Sequence, residues 1–180
     1  MERLKKVSII LQLINNLKDN NSKCGETHIQ KAMYFLQALK KVPTDFDFIL
    51  YKHGPFSFDL RDELTSMRAD QLLEIHANIY HSGLSLLPTE SGKELIKHFP
   101  KTLEKFEKQI DFVAENCIGN KGAAKLERIS TALFLTLRSD KAKKEIMEEL
   151  VVLKPHISKE KAVEAVEFIE KITLQAQNIN

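Results

Sequence analysis

The residues best suited to ligand chemistry lie in a stretch that alternates between apolar and polar side chains. His76 and His81 flank Asn78 and Tyr80 there, and imidazole nitrogens can bind metal ions and polar ligands. Their spacing matches no metal-ligand pattern. We therefore interpret them as polar residues of a β-hairpin, and we predict that His76, Asn78 and His81 contact a partner.

Two basic features could face phosphate groups. Five lysines recur near helical spacing: Lys93, Lys97, Lys101, Lys105 and Lys108. Pro100 breaks this spacing and glutamates lie among the lysines, which favours a solvated face. The segment 119–122 has two glycines around an asparagine and a lysine. It follows a predicted helix rather than a strand and does not match a phosphate-binding loop, so we predict an ordinary loop.

No catalytic motif stands in the sequence. The chain has no nucleophile elbow, no His-Glu-x-x-His zinc pattern, no paired-carboxylate context and no dinucleotide-binding glycine pattern. We therefore predict a protein that is not an enzyme and that uses no cofactor or metal. A triad assembled from distant residues is the one catalytic arrangement that this reasoning leaves open.

The composition predicts a globular protein that does not span a membrane. The chain has 180 residues, 43% of them hydrophobic, and a formal net charge of +2. This charge is too small to indicate nucleic-acid binding by itself, so any contact with DNA must depend on local charge. Cys24 and Cys117 form no disulfide framework, and no apolar run reaches the ~20 residues that cross a bilayer. We expect a cytoplasmic location.

The first half of the chain has patterns typical of two helices, a strand, a third helix, a hairpin and a fourth helix. Apolar residues recur at helical spacing from residue 4 to 14, and again from 29 to 39 in a second helix that Thr27 is placed to cap. Alternation over residues 46–50 predicts a short strand. This order is typical of a winged-helix domain, which we assign to residues 1–99.

A sharp corner is predicted between the strand and the third helix. Gly54 can adopt a positive φ, and Pro55 fixes its own φ and has no backbone N–H to donate. Ser57 is placed to cap the third helix, with Asp59 in the first turn. We therefore predict that the strand ends, that the chain turns at Gly54 and Pro55, and that a capped helix begins at Ser57.

The hairpin, or wing, is predicted from its alternating pattern. Its strands are expected at residues 73–80 and 84–87, separated by His81-Ser82-Gly83. Thr89 is placed to cap the helix that follows. The predicted fold is therefore mainly α with a small β-hairpin, an α+β arrangement.

Beyond Pro100 the pattern is wholly helical. Apolar residues at 103, 106, 110, 113 and 117 keep heptad spacing, and the segment 129–137 has almost no polar face, which predicts a central helix. We expect residues 100–180 to form a helical bundle packed on the first domain or on a second copy of the chain. A homodimer is therefore one predicted assembly.

Two further helix starts are predicted in this second half. Ser139 or Asp140 is placed to cap one helix, and Ser158 the last one.

The third helix occupies the recognition-helix position of a winged helix, where a DNA-binding protein presents basic or amide side chains. Over residues 57–71 this chain instead has two arginines against four acidic residues. A helix of net negative charge is repelled by phosphates. We therefore predict protein contact through its outward face, which is formed by Asp59, Arg61, Asp62, Glu63 and Arg68.

Short motifs along most of the chain resemble a known group of proteins. They are Ile29-Gln30-Lys31-Ala32-Met33-Tyr34-Phe35-Leu36, Tyr51-x-x-Gly54-Pro55-Phe56-Ser57, Leu87-x-Thr89-x-x-Gly92, Leu126-Glu127-x-x-Ser130-Thr131-Ala132-x-Phe134-Leu135 and Lys154-Pro155-His156-x-Ser158. They are similar to the uncharacterised YwgA-like proteins and, more distantly, to the Panacea antitoxin domain. Phe56 departs from the group, where tyrosine or valine is often found.

The resemblance implies a non-enzymatic winged-helix module that works by contacting a partner, which in the Panacea case is a toxin. The motif residues that it marks as structural are Lys31, Tyr34, Tyr51, Gly54, Pro55, Phe56 and Ser57.

Three functional classes follow from the sequence. The first choice is a protein-interaction module of antitoxin or regulatory type, with a toxin or a regulatory protein as its partner. The alternative is a DNA-binding transcriptional regulator, which the winged-helix order favours. The third class is an enzyme without a recognised motif.

Overall fold

The protein is mainly helical, with two small antiparallel strand pairs; the computed structural model describes residues 1–77 and 83–178. The helices are α1 (Arg3–Asp19), α2 (Glu26–Ala38), α3 (Phe58–Ala69), α4 (Glu90–Lys97), α5 (Pro100–Phe112), α6 (Ala123–Arg138), α7 (Lys143–Leu153) and α8 (Lys159–Gln177). The strands are β1 (Ile49–Tyr51), β2 (Gly54–Phe56), β3 (Leu73–Ala77) and β4 (Leu84–Pro88). The predicted mainly helical α+β fold is confirmed, and it contains one more strand pair than the sequence indicated.

Two helices form the centre of the molecule. All residues of α2 from His28 to Leu36 are buried, and α6 is buried from Leu126 to Leu135 except at Arg128. Helix α6 packs against α2, β2, α7 and α8, which confirms the predicted central helix. Buried apolar residues from both halves form one continuous core, and the division into residues 1–99 and 100–180 stays a prediction.

The predicted corner lies elsewhere. The strand covers Ile49–Tyr51 rather than residues 46–50, and Gly54–Phe56 is itself a strand that pairs with it. The chain therefore turns at Lys52 and His53, just before the predicted position. Pro55 is tolerated in β2 because this strand belongs to a two-stranded ribbon with an unpaired edge. The positive φ predicted for Gly54 is confirmed at +85°.

Three predicted helix caps are confirmed. The hydroxyl of Ser57 accepts a hydrogen bond from the backbone N–H of Leu60 at the start of α3. Thr89 and Ser158 cap α4 and α8 in the same way. These caps are local features, so the spacing of one polar residue before an apolar stripe was enough to find them.

Two predicted caps are wrong. Helix α2 begins at Glu26 with Gly25 at its N-cap, rather than at Thr27. Helix α7 begins after Ala142, not at Ser139 or Asp140, and the Glu145 carboxylate accepts a hydrogen bond from the Ala142 N–H at 2.8 Å. The acidic side chain at the third helical position thus satisfies the N–H of the N-cap residue, and Ala142 itself has no side-chain acceptor for the first turn.

The predicted hairpin is confirmed for its described strands. Strands β3 and β4 pair over five positions, from Leu73 opposite Pro88 to Ala77 opposite Leu84. The alternating pattern does not bury one face of β3, since only Leu73 is buried and Ile75 is 41% exposed. Residues 78–82 lie outside the described part of the chain.

Helix α5, which contains the first residues of the predicted heptad pattern, continues into a segment of π-helix. A π-helical segment, Val113–Ile118, continues α5, and Gly119 ends it with a positive φ of +49°. This segment packs against α1 and α2. Among the heptad positions, Phe106, Ile110, Val113 and Cys117 are buried as their spacing predicts. The segment 119–122 is a loop, also as predicted.

Candidate functional site

A buried polar cluster lies where α2, the β1–β2 turn, α6 and the segment after α7 meet. It contains Lys31 of α2, Glu127 of α6 and Lys154, and each of these residues is less than 10% exposed. Charged side chains are almost never fully buried unless they are paired. The contacts of these three residues therefore define what the cluster does.

Lys154 fastens the β1–β2 turn to the second half of the chain. Its ammonium group donates hydrogen bonds to the backbone carbonyl oxygens of Tyr51, at 3.1 Å, and of Lys52. The same nitrogen lies 3.2 Å from Oε1 of Glu127. Lys154 thus satisfies two carbonyl groups of a tight turn and places a positive charge against the buried carboxylate.

Glu127 is only partly satisfied. Its Oε1 lies 3.2 Å from Nζ of Lys154 and 3.5 Å from Nε2 of His156, yet it makes no well-aligned hydrogen bond within the described residues. The attraction to Lys154 is therefore that of two close charges rather than of an oriented hydrogen bond. Buried polar atoms in this state are uncommon and mark strained or functional positions.

Lys31 adds a second buried positive charge. Its Nζ donates a hydrogen bond of 2.8 Å to the carbonyl oxygen of Pro55 in β2. Burial is the main cause that lowers the pKa of Lys31 to about 8; Glu127 opposes this shift and Lys154 contributes to it. The Lys31 ammonium group is thus bonded to a backbone carbonyl and not to the Glu127 carboxylate.

Two exposed imidazoles flank that carboxylate. Nδ1 of His53 lies 3.6 Å from Oε2 of Glu127, and Nε2 of His156 lies 3.5 Å from Oε1. The His53 and His156 side chains are 66% and 62% exposed. Each ring thus has one nitrogen near Glu127, while its second nitrogen remains for solvent or a ligand.

These groups line one cleft with a volume of about 660 Å³. The lining residues are Leu50, Tyr51, Lys52, His53, Glu127, Leu153, Lys154 and His156. The volume is within the usual range of about 300–1,000 Å³ for small-molecule sites. Its lining residues supply lysine, imidazole and carboxylate groups that can bind a polar ligand.

A second feature is an exposed group of three aromatic rings, which we call the aromatic surface. Tyr51, Phe56 and Phe58 pack with ring centroids 5.1 to 5.8 Å apart. Tyr51 is 53% exposed and Phe58 39% exposed. The Arg61 guanidinium lies over the Phe58 ring at 5.0 Å. The β1–β2 pairing creates this surface, because it sets Tyr51 beside the strand that leads into α3.

The predicted outward face of α3 is partly as expected. Asp59, Arg61, Asp62 and Arg68 are exposed. Glu63 differs, since its carboxylate lies 2.8 Å from Arg3 of α1 and its side chain is only 15% exposed. Glu63 therefore joins α3 to α1 and is not a free surface charge.

The predicted site residues of the wing are only partly described. His76 is exposed on β3, where its Nε2 lies 2.9 Å from Oε1 of Glu74. Asn78 and His81 lie outside the described residues. The structure thus places His76 on a protruding hairpin, apart from the residues that line the cleft.

Most residues of the motif marked as structural hold the β2–α3 segment in place. Lys31, Tyr34, Gly54, Pro55 and Ser57 are buried. A Cβ on Gly54 would lie 3.0 Å from Oγ1 of Thr131 and 3.1 Å from Oγ of Ser130, so β2 approaches α6 closely.

Gln30, the neighbour of Lys31, secures the same segment. Its side-chain amide donates to the Ser57 carbonyl at 2.9 Å and accepts from the Ser57 N–H at 3.0 Å. Tyr51 and Phe56 of the same motif instead form the aromatic surface.

Sequence reasoning missed the cleft. The sequence places Glu127, Lys154 and His156 only within motifs, and it gives no signal that singles out His53. A usable signal was present, since Lys31 and Glu127 each stand between apolar residues of a helical segment. Charges in such positions indicate buried groups that need a partner. Which partner each one has depends on the fold, because Lys31 binds the carbonyl of Pro55 and Glu127 pairs with Lys154.

Other reactive groups form no further centre. Among the described residues, no group of three or more His, Cys, Asp or Glu side chains is arranged to hold a metal ion. Burial raises the pKa of Cys24 to about 11 and that of Cys117 to about 12. Both thiols are therefore protonated and enclosed at neutral pH.

No helix in residues 1–77 and 83–178 combines the length and the apolar character that crossing a bilayer requires. Comparison with known proteins adds no relative: no protein-family model matches the chain, and no curated protein matches it.

Proposed function

We propose that this protein is a non-catalytic regulatory protein of winged-helix type that works by binding another protein, as an antitoxin or a defence-associated module does. The observation that carries the proposal is the aromatic surface of Tyr51, Phe56 and Phe58, with Arg61 stacked on its edge. Exposed groups of large apolar side chains are typical of interaction sites.

The composition of this surface supports binding to protein. Aromatic residues and arginine are enriched in protein interfaces, and a few such residues supply most of the binding energy. The rings are held in place by their mutual contacts and by the buried anchoring of β2. A pre-ordered surface loses little conformational entropy on binding.

The charges beside the aromatic surface specify the partner further. Asp59 and Asp62 lie exposed on the first turns of α3, next to Phe58. We infer that the partner presents an apolar anchor side chain flanked by basic residues, because charge complementarity steers encounter and selects partners. This surface is poorly suited to DNA, since its two carboxylates would repel phosphates.

A DNA-binding regulator is the second candidate. The order of helices and strand pairs favours it, since α3 precedes an exposed hairpin as a recognition helix precedes a wing. Under this alternative the basic side chains Arg61 and Arg68 would have to reach the duplex. Arg61 instead stacks on Phe58 and lies 3.4 Å from Asp62.

Co-purification from the native host with a surface variant tests the proposal. Phe58→Ser should remove the centre of the aromatic surface, so the bound protein should be lost. Leu174→Ser is the matched control, because Leu174 is a 65% exposed apolar residue on α8. The proposal requires a partner that the parent and the control retain in stoichiometric amount and that the Phe58 variant does not. Equal retention by all three proteins would contradict it.

A titration with random-sequence duplex DNA separates the two candidates. A protein held by phosphate contacts loses about a thousandfold or more in affinity between about 50 and 200 mM salt. We expect no such binding by the parent. A specific duplex shifted at physiological salt, with α3 in contact, would favour the transcriptional alternative.

A further inference from the structure

We propose that the cleft between the β1–β2 turn, α6 and the end of α7 binds a small organic anion, in which an oxyanion group is attached to an apolar body. This site is distinct from the aromatic surface and shares only Tyr51 with it. The proposal does not rest on the proposed function, because it concerns the charged cluster around Glu127.

The charge of the cluster favours an anion. Lys154 is buried beside a single carboxylate, that of Glu127, whereas the buried Lys31 donates to the Pro55 carbonyl and does not line the cleft. Lys52 lines the same cleft and has no ion pair within the described residues. The cleft is thus lined by two lysines and one carboxylate, and this excess of positive charge attracts an anion.

The two imidazoles supply directed donors. Glu127 lies near one nitrogen of His53 and one nitrogen of His156. A carboxylate beside one ring nitrogen orients the ring and leaves its second nitrogen available to the cleft. Both nitrogens of an imidazolium are donors, so an oxyanion in the cleft can accept a hydrogen bond from the second nitrogen of each ring when that ring carries two protons.

The size of the cleft favours a ligand larger than a bare inorganic ion. Its volume of about 660 Å³ belongs to the range of small organic ligands. Leu50 and Leu153 supply apolar walls beside the charged groups. We therefore assign the charged end of the ligand to the histidines and Lys52, and its apolar body to the leucines.

A cation fits this arrangement less well. The buried oxygen Oε1 of Glu127 would be its natural partner, but Nζ of Lys154 already lies 3.2 Å from that atom. Lys154 cannot withdraw without releasing the carbonyl groups of Tyr51 and Lys52 that it binds. A metal ion bound by the two imidazoles would also face Lys52 and Lys154, which line the same cleft.

Two probes with the same ring and opposite charges test the proposal. Benzenesulfonate is the anionic probe, benzamidinium the cationic one, and inorganic sulfate represents the oxyanion alone. The readout is the side-chain NMR signals of the histidines, with the full-length protein at neutral pH. His76 is the internal control, because it is an exposed histidine paired with Glu74 outside the cleft.

We expect benzenesulfonate to shift the His53 and His156 signals saturably and to leave His76 unchanged. Sulfate should bind at least tenfold more weakly, and benzamidinium should cause no saturable shift. The double variant His53→Gln, His156→Gln should lose at least tenfold in benzenesulfonate affinity by calorimetry, whereas His76→Gln should bind as the parent does. Both substituted sites are largely exposed, so the variants should fold, which their melting curves can verify.

Three results would overturn the proposal. Tighter binding of benzamidinium than of benzenesulfonate would make the cleft a cation site. Equal shifts at His76 and at the cleft histidines would indicate non-specific association. Unchanged affinity in the folded double variant would show that the imidazoles do not bind the anion.

Discussion

The two strand pairs of this protein are held by different means. The β1–β2 pair has three matched positions and buries Gly54 and Pro55, whereas β3–β4 has five positions and leaves most of β3 exposed. Isolated two-stranded hairpins are marginally stable in water. The shorter pair therefore depends on contacts with the rest of the molecule, and these contacts differ in kind from those of the longer pair.

The first pair is fixed by long side chains from distant elements. Lys154 binds the carbonyl oxygens of the turn, Lys31 binds the carbonyl oxygen of Pro55, and Gly54 lies against α6. The second pair has two shorter attachments: the Leu86 N–H donates to the Cys24 carbonyl at 2.9 Å, and the Ser85 hydroxyl donates to the Lys23 carbonyl at 2.6 Å.

This difference explains where ligand-binding features lie. Buried charges that fix the β1–β2 turn also line the cleft, and the same pairing sets Tyr51 beside Phe56. The rigid pair thus carries both proposed sites. The β3–β4 pair packs on α1 and α3 and contributes Leu73 and Leu86 to the core, but it presents polar side chains such as His76 to solvent.

Matched glycine substitutions should give the largest difference between the two pairs. We expect Gly54→Val to destabilise the protein by about 4 kcal/mol, because backbone strain at positive φ adds to overpacking against α6. Gly83→Val provides the control, since Gly83 also has a positive φ but no atom of the described residues lies within 4 Å of the added Cβ. Denaturant unfolding measures both. Equal losses would show that close approach to α6 contributes nothing.

Removing one hydrogen-bonding side chain that attaches each strand pair should give the next largest difference in stability loss. Lys154→Met removes the partner of buried Glu127 and should cost about 3 kcal/mol, because an unpaired buried charge remains. Ser85→Ala removes a partly exposed hydrogen bond and should cost about 1 kcal/mol or less. Thermal unfolding of both variants tests this order. A smaller loss for Lys154→Met would mean that the turn does not need its charged attachment.

The pH dependence of Lys31 should have a smaller effect. Its pKa is about 8 in the folded protein, against 10.5 for an ordinary lysine. Between these values the unfolded chain binds more protons, so the contribution of Lys31 to stability rises with pH. We expect the parent to gain on the order of 1 kcal/mol relative to Lys31→Met between about pH 7 and 9.5.

The two buried thiols titrate in the same alkaline range but are common to both proteins, so they cancel in this difference. Between about pH 5 and 6.5 the difference should stay constant, because Lys31 is then protonated in both states. A difference that falls with increasing pH would contradict the burial of a charged Lys31.

The sequence predicted those parts of the fold that local chemistry determines. Helical spacing located the central helix α6, and the caps at Ser57, Thr89 and Ser158 followed from hydroxyls that precede apolar stripes. The β1–β2 pair was missed because a strand of three residues has almost no pattern of its own. The turn that joins its strands is bound by Lys154, about a hundred residues further along the chain.

The candidate sites were less accessible to prediction for the same reason. Tyr51 and Phe56 stand in a motif of the sequence, but the sequence does not show that they lie together, because their contact depends on the turn at Lys52 and His53. The prediction that Asp59 and Asp62 lie exposed on α3 is confirmed. The prediction that Glu63 is a free surface charge was wrong, because its partner Arg3 lies in α1, 60 residues earlier in the chain.

The smallest expected effect on stability comes from charge reversal beside the aromatic surface. Asp59→Lys with Asp62→Lys should leave the free energy of unfolding within about 0.5 kcal/mol, since both side chains are exposed. Glu63 is left unchanged because it is paired with Arg3. Partner binding, measured by surface plasmon resonance, should slow mainly in its association rate, because like charges would then meet at the rim.

Glu74→Lys on β3 is the matched control for this reversal, since it places a new positive charge on the other strand pair. It should leave the association rate of the partner unchanged if contact is confined to the β1–β2 and α3 region. The two proposed functions predict opposite changes in affinity for Asp59→Lys with Asp62→Lys. The four units of added positive charge would weaken binding to a basic protein partner and strengthen binding to duplex DNA. If the parent already binds DNA measurably, the variant binds it more tightly, and the association rate of the protein partner is unchanged, the result would favour transcriptional regulation over protein binding.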